Sequence, residues 1–132
     1  MKLVIGGYSQ GKLNFVLEKN KKEHCVIYDG VIPDEKELQE MAEQGNIIII
    51  NHFHSWVKER MIQGGSPEEE INQFLSKRVD SIVISDEIGN GIVPIDAFER
   101  EYRERTGRIL VKLAGEADEV VRVICGIAQK IK

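Results

Sequence analysis

The residues best suited to chemistry form a glycine-rich stretch directly behind a short apolar segment at residues 2–5. The stretch reads Gly6-Gly7-Tyr8-Ser9-Gln10-Gly11-Lys12-Leu13. It matches the phosphate-binding pattern G-x-x-x-x-G-K-[ST] at every position except the last. Glycines let backbone N–H groups turn inward around a polyphosphate, and a lysine at this position reaches the terminal phosphates as a point charge. The stretch therefore predicts a binding loop for GTP or ATP, with Lys12 as a catalytic residue.

The last position of the pattern is where this stretch departs from a metal-binding loop. The usual Ser or Thr places its hydroxyl on Mg²⁺, and Leu13 has no hydroxyl. We therefore assign no metal ligand, and Mg²⁺ would be held by the nucleotide, by water, or by the acidic pair Asp86 and Glu87. The alternative interpretation is a glycine-rich turn that only joins a strand to a helix. The position of Lys12 directly after Gly11 favours phosphate binding.

Length and composition set the class of protein. With 132 residues, 42% of them apolar and 30% charged, the chain fits one globular domain over residues 1–132. Its formal net charge of −4 does not provide the excess of positive charge that favours binding to a nucleic acid or an anionic membrane. Cys25 and Cys125 lie in separate apolar runs, which predicts buried thiols in a reducing compartment. No apolar run approaches the roughly 20 residues that span a bilayer, so we expect a cytoplasmic protein.

Segments of strand and helix type alternate along the chain. Residues 47–50 are consecutive isoleucines and residues 81–84 form a second apolar run, both typical of strands buried on two faces. A last strand is predicted over residues 119–125, followed by a short tail. The longest helix is predicted over residues 95–114, with an apolar stripe of Ile95, Phe98, Tyr102, Ile109 and Leu113. This alternation favours an α/β fold in which helices cover a mostly parallel sheet.

Polar residues follow two of the predicted strands. Asp86 and Glu87 come directly after residues 81–84, at the edge where open α/β sheets bind ligands. A solvated acidic pair before a turn is the alternative interpretation. His52 and His54 follow the isoleucine run, but no third metal ligand is evident near them. We expect these histidines to face the cleft or the surface.

Four segments in the last part of the chain carry a specific resemblance. They are Ile82-Val83-Ile84-Ser85-Asp86-Glu87-Ile88-Gly89-Asn90-Gly91-Ile92-Val93-Pro94, Thr106-Gly107-Arg108, Ala117-Asp118-Glu119-Val120, and the ending Gly126-Ile127-Ala128-Gln129-Lys130-Ile131-Lys132. Together with the glycine-rich stretch, they resemble the adenosylcobinamide kinase/adenosylcobinamide-phosphate guanylyltransferase family of cobalamin biosynthesis. The segments occur in the same order as in that family.

The resemblance implies a three-layer, RecA-like P-loop fold. Full-length members of that family are similar in using a nucleoside triphosphate to phosphorylate adenosylcobinamide, and they then transfer GMP from GTP through a guanylylated histidine. They associate as small rings. For this chain the resemblance therefore implies nucleotide and corrinoid ligands, a homo-oligomer, and a catalytic role for Glu87, which matches a family glutamate. Arg108 matches a family arginine that could pair with an anion.

Several positions depart from the family pattern. Leu13 stands where the family has Ser, and Asn51 stands where it has an acidic residue. Leu110 and Val111 replace an Asn-Gln pair, and residues 29–46, where the family carries its guanylylated histidine, contain no histidine. Two hypotheses follow. The chain is a divergent enzyme, with kinase activity favoured over guanylyl transfer, or it is a non-catalytic nucleotide- or corrinoid-binding or assembly protein that has lost turnover.

Overall fold

The apolar runs form strands, and the stretches between them form helices. The structure, a computed structural model, describes residues 1–89, 91–92 and 94–132, so Asn90 and Val93 of the resembling segment lie outside the described residues. The strands within this range are β1 (Lys2–Gly6), β2 (Cys25–Asp29), β3 (Ile47–Asn51), β4 (Ser81–Asp86), β5 (Glu119–Ile124) and β6 (Ile127–Lys130). The helices are α1 (Lys12–Lys19), α2 (Glu35–Glu43), α3 (Phe53–Ile62), α4 (Pro67–Ser76) and α5 (Ala97–Glu116), and a 3₁₀ turn at Lys22–His24 precedes β2.

The strands pair in the order β2-β3-β4-β1-β5-β6. Every pair is parallel except β5 with β6, which confirms the predicted mostly parallel sheet. The chain leaves β1 toward β2 at one edge of the sheet, whereas it leaves the adjacent β4 toward β5 in the opposite direction. The carboxyl ends of β1 and β4 therefore form a topological switch point, which is where open α/β sheets bind ligands.

Helices cover both faces of the sheet. On one face α1 packs through Val16 against a cluster that includes Val4, Ile49 and Ile84. On the other face α2, α3, α4 and α5 pack around a larger cluster that includes Phe53 and Trp56. This arrangement confirms the predicted three-layer α/β fold. Across the described residues, no helix combines the length and apolarity needed to cross a membrane.

The long helix begins slightly later than predicted. α5 starts at Ala97 because the Asp96 carboxylate accepts a hydrogen bond of 3.1 Å from the Glu99 N–H and so caps the first turn. Ile95 lies before this cap and is 96% exposed, so its assignment to the buried stripe is wrong. The buried positions of the predicted stripe are Tyr102, Ile109 and Leu113.

The end of the chain forms a hairpin instead of the predicted strand and tail. Cys125 and Gly126 connect β5 to β6 with φ values of 50° and 75°, the positive range that two-residue hairpin turns require. Cys125 is exposed, so the predicted burial of its thiol is wrong. Its N–H donates to Gln10 Oε1 at 2.7 Å, and the Gly126 N–H donates to the Gln10 carbonyl at 2.8 Å. The hairpin turn thus holds the glycine-rich loop in place.

Candidate functional site

The glycine-rich loop joins β1 to α1 at the switch point of the sheet, and two of its glycines are required by geometry. A Cβ atom at Gly6 would lie 2.5 Å from the backbone oxygen of Val123, so no larger residue fits there without a backbone shift. Gly11 precedes α1 with φ +86°, a left-handed conformation that favours glycine. The sequence of the loop therefore matches a backbone that approaches β5 closely and turns sharply into a helix.

Lys12 is folded back into the loop. Although it is the first residue of α1, it is only 7% exposed. Its Nζ atom donates to the Gly7 carbonyl at 2.6 Å and lies 2.7 Å from Asp86 Oδ1. Asp86 stands at the end of β4, in register with Gly6 at the end of β1. The ammonium group thus lies among oxygen acceptors inside the loop.

His54 lies against the same carboxylate. The Asp86 N–H donates to His54 Nδ1 at 3.1 Å, so this nitrogen carries no proton and the neutral ring is protonated on Nε2. The Nε2 atom lies 3.4 Å from Asp86 Oδ2, while the Tyr102 hydroxyl donates to the His54 carbonyl at 2.8 Å. Burial lowers the pKa of His54 more than the nearby Asp86 carboxylate raises it, and the charges of His52 and Lys12 lower it further. His54 therefore favours the neutral form, and its protonated Nε2 lies near the Asp86 carboxylate.

The lowered pKa of His54 predicts a loss of stability in mild acid. As the pH falls below about 6.5, the unfolded chain takes up a proton on this histidine before the folded chain does. The contribution of His54 to the free energy of unfolding is therefore fully present above about pH 6.5. It is lost as the pH falls toward the pKa of His54 in the folded state. Between pH 7.5 and pH 5.5, the free energy of unfolding measured with urea should fall less for His54→Gln than for the wild type. If the free energy of unfolding fell as much for His54→Gln as for the wild type, this prediction would be contradicted. The matched control is His24→Gln, because His24 is exposed.

A second polar cluster lies at the ends of β2 and β3. Asn51, which is 6% exposed, donates its Nδ2 hydrogen to Asp29 Oδ1 at 3.0 Å, across the strand register that pairs these two residues. His52 Nδ1 contacts the same carboxylate oxygen. The rings of His52 and His54 are edge to face, with centroids 5.7 Å apart. Polar groups therefore continue from Lys12 to Asp29 along one edge of the sheet.

These groups surround a cavity of about 300 Å³. Besides Asn14, Ile84 and Ser85, its lining consists of Tyr8, Ser9, Gln10, Gly11, Lys12, Leu13, Asn51, His52, His54 and Asp86. A larger cavity of about 730 Å³ lies at the amino ends of the strands, beside Met1 and Ser81. Because parallel sheets bind ligands at their carboxyl ends, the smaller cavity is the candidate site. The predicted loop residues and both histidines thus lie in or beside one cavity.

The donors around this cavity do not fit a protein-held Mg²⁺ ion. Mg²⁺ prefers carboxylate and other oxygen ligands, but Leu13 is apolar and Asn51 directs its amide N–H at Asp29. The Asp86 carboxylate is engaged by Lys12 and His54. Throughout the described residues, no group of three or more His, Cys, Asp or Glu side chains could hold a metal ion.

Glu87 lies beside the cavity and is bound elsewhere. Its N–H donates to the Gly6 carbonyl at 2.8 Å, and its carboxylate pairs with Arg122 Nε at 3.1 Å. Arg122 lies on β5, so this ion pair passes across β1. Glu87 is not among the residues that line the cavity. The structure does not bring it together with Lys12, and its catalytic role stays a prediction.

The remaining polar residues divide between those the sequence indicated and those it did not. Arg108 pairs with Glu104 on the exposed side of α5, outside the cavity lining. The sequence does not indicate Asp29 or Arg122 as site residues, because their partners become neighbours only through the order of the strands in the sheet. A single charged residue within the apolar run of β5 was the available signal for Arg122.

The fold and the loop at its switch point define a class, the three-layer α/β domains, and they are consistent with a P-loop domain. Residues 18–131 match the sequence model of the family described as cobinamide kinase / cobinamide phosphate guanyltransferase. Because this match covers well over half of the chain, the chain belongs to that family. The resemblance inferred from the sequence is confirmed. The matched range begins after the glycine-rich loop, so the functions assigned to residues 6–13 stay predictions.

Curated relatives support the same family. The chain is 43% identical over 51 residues to the bifunctional adenosylcobalamin biosynthesis protein CobU of Salmonella typhimurium, and 41% identical over 51 residues to the protein of that name from Escherichia coli. Each match covers 39% of this chain and 28% of the relative. The matched part of the chain thus spans little more than a quarter of the length of these relatives.

Proposed function

We propose that the loop at residues 6–13 is a P-loop that binds the phosphates of GTP or ATP. We further propose that the chain transfers the terminal phosphate to a corrinoid of the cobinamide class, as a divergent enzyme of cobalamin biosynthesis. The observation that carries the proposal is the position of Lys12 Nζ, inside the loop and bound to the Gly7 carbonyl and to Asp86. Membership of the cobinamide kinase / guanyltransferase family supports the choice of substrate.

The contacts of Lys12 suggest how the loop accepts a nucleotide. A carbonyl oxygen and a carboxylate oxygen now accept from Nζ, and phosphate oxygens are acceptors of the same kind. The amino end of α1 adds partial positive charge and free N–H groups at the same place. A bound triphosphate would take Lys12 from Asp86 and leave that carboxylate with His54. The Asp86 carboxylate thus holds the nearly buried Lys12 side chain in this position until the ligand arrives.

Kinase activity is favoured over guanylyl transfer. The chain has three histidines, at positions 24, 52 and 54, and residues 29–46 contain none. The segment that carries the guanylylated histidine in the resembling family is thus without its nucleophile. Direct phosphoryl transfer needs no covalent intermediate, because positioning and electrostatic stabilisation provide most of its catalysis. We also propose that copies of the chain associate, as the family resemblance implies.

A non-catalytic binding or assembly protein is the second candidate. The observation that favours it is the chemistry at Leu13 and Asn51, where an aliphatic side chain and a buried amide replace groups able to support Mg²⁺. Phosphoryl transfer ordinarily relies on that ion to neutralise charge on the β and γ phosphates. A chain of this kind would bind a nucleotide or a corrinoid without turnover.

Thermal unfolding with and without nucleotide tests the proposed site. At a free nucleotide concentration of about 100 times Kd, binding stabilises the fold by about 2.7 kcal/mol. For a domain of this size we expect Tm to rise by about 5–10 °C. The rise should differ little between Mg²⁺ and a chelator, because no group of three or more ligands for the ion is found among the described residues. No rise with GTP or ATP in either condition would overturn the proposed nucleotide site.

A further inference from the structure

His52 and His54 are the two histidines that line the cavity. His52 lies between β3 and α3, its side chain is 50% exposed, and it lines the same cavity as Lys12. We propose that His52 is a catalytic general base, which takes the proton from the corrinoid hydroxyl that receives the phosphate. This inference rests on the phosphoryl transfer proposed above and gives that reaction its proton acceptor.

The contacts of His52 determine which nitrogen carries the lone pair. A carboxylate oxygen of Asp29 can only accept a hydrogen bond, so the contact with His52 Nδ1 requires a proton on that nitrogen. Asn51 Nδ2 also lies 3.3 Å from His52 Nδ1, but it donates to Asp29 Oδ1 over a shorter distance of 3.0 Å. Asp29 therefore fixes the neutral ring with its proton on Nδ1. Within residues 1–89, 91–92 and 94–132, the hydrogen bonds of the His52 ring involve Nδ1 alone, so the Nε2 lone pair can accept a proton.

His54 cannot take the same role, although it lies in the same cavity. The lone pair of its Nδ1 accepts from the Asp86 N–H, and its Nε2, which carries the proton, lies 3.4 Å from Asp86 Oδ2. Neither nitrogen therefore offers a free lone pair, and the side chain is only 13% exposed. The two histidines have opposite tautomers, because Nδ1 of His52 contacts a carboxylate and Nδ1 of His54 accepts from a backbone N–H. The free lone pair belongs to His52.

The backbone at His52 supports a functional position. Its φ of 52° and ψ of 46° place it in the left-handed region, which non-glycine residues seldom adopt. Asn51 before it and Phe53 after it are both buried. The uncommon conformation therefore turns one exposed ring outward between two buried neighbours, at the edge of the cavity. Backbone outliers of this kind cluster at active sites.

The proposed step balances without a further reactant. The acceptor hydroxyl gives its proton to His52 Nε2, and its oxygen forms a bond to the γ-phosphorus. The bond from the γ-phosphorus to the β–γ bridging oxygen breaks, and its electron pair leaves with the nucleoside diphosphate. The imidazolium that remains is stabilised by the Asp29 carboxylate at Nδ1. It then returns its proton to water.

Kinetics of two His52 variants test this role. His52→Gly suits the left-handed backbone and leaves a gap, while His52→Asn tolerates the same backbone and lacks a base of comparable strength. We expect both to bind GTP or ATP with wild-type affinity and to transfer phosphate at least about 100-fold more slowly. Added imidazole should restore part of the rate of His52→Gly. His24→Gln, at an exposed histidine outside the cavity, should keep the wild-type rate.

The outcomes separate this inference from the proposed function. Wild-type rates in both His52 variants would overturn the general base alone. A slow His52→Gly that imidazole does not rescue would also overturn it, because the loss would then be structural. A wild-type protein that transfers no phosphate would overturn the kinase function and the base together. Imidazole ¹⁵N shifts give a test without turnover: a proton on His52 Nε2 in the neutral ring would reject the inference.

Discussion

Replacing Lys12 with alanine is expected to weaken the binding of GTP or ATP about 100-fold, which corresponds to about 2.7 kcal/mol. Charge-assisted hydrogen bonds to phosphate are strong, and the loop offers no other side-chain cation, because Tyr8, Ser9 and Gln10 are uncharged. Calorimetric titration of the variant against the wild type measures the loss. Lys19→Ala is the matched control, since Lys19 is an exposed lysine at the end of the same helix.

The Lys12 substitution also needs a control for stability. Lys12 and Asp86 have side chains that are 8% and 15% exposed, so removing the lysine leaves a carboxylate with little access to water. The double variant Lys12→Ala/Asp86→Asn removes that uncompensated charge and should recover part of the lost stability. Its nucleotide affinity should stay low, because the cation is still missing. Affinity within about threefold of the wild type in either Lys12 variant would contradict a phosphate-binding role, since roughly a tenfold change accompanies each 1.4 kcal/mol.

Replacing Gly6 with alanine is expected to lower the free energy of unfolding by about 3 kcal/mol, at the upper end of overpacking costs. The new Cβ would lie 2.5 Å from the Val123 carbonyl oxygen, a backbone atom that cannot rotate away. Relief of this clash requires β1 and β5 to separate at the base of the loop. Urea unfolding, with the midpoint and the slope fitted separately, measures the cost.

Gly7 provides the matched control for Gly6. A Cβ at Gly7 would lie 3.6 Å from Gln10 Cγ, an ordinary van der Waals contact with a flexible side chain. Gly7→Ala should therefore stay within about 1 kcal/mol of the wild type, the entropic range of a compatible Gly→Ala change. Equal costs for the two alanine variants would show that the close approach of the loop to β5 does not govern stability.

The sheet could be predicted from the sequence because its strands have distinctive composition. Four isoleucines at residues 47–50 have no polar side for a helix to expose, and they form β3 with Ile48, Ile49 and Ile50 fully buried. The glycine-rich loop was predictable for the same kind of local reason. Its spacing requires a sharp turn, and Gly11 has the left-handed φ that such a turn needs.

The pairings around the cavity could not be predicted, because they depend on strand order. Lys12 meets Asp86 only because β1 lies beside β4 with Gly6 in register with Asp86. Asp29 meets His52 only because β2 lies beside β3. No local pattern encodes either contact. The hairpin at Cys125 was missed for a local reason, since Cys-Gly is not among the dipeptides that usually mark two-residue turns.

Asn51, which departs from the family pattern, lies in the polar cluster at the ends of β2 and β3. The Asn51 side-chain amide donates a hydrogen bond to the Asp29 carboxylate, and the same carboxylate contacts His52 Nδ1. Asn51 thus takes part in a cluster of hydrogen bonds beside the cavity. Lys12, Asp86 and His52 line one cavity. Under the proposed function, Lys12 would bind the phosphates and His52 would accept the proton of the acceptor hydroxyl.

Transfer of labelled phosphate from nucleotide to corrinoid tests the central claim most directly. Wild-type protein, incubated with adenosylcobinamide, Mg²⁺ and GTP or ATP labelled at the γ-phosphate, should place the label on the corrinoid. Lys19→Ala should do the same, and Lys12→Ala should not. An unlabelled corrinoid in the presence of wild-type protein that demonstrably binds the nucleotide would contradict the kinase function and leave a non-catalytic binding protein.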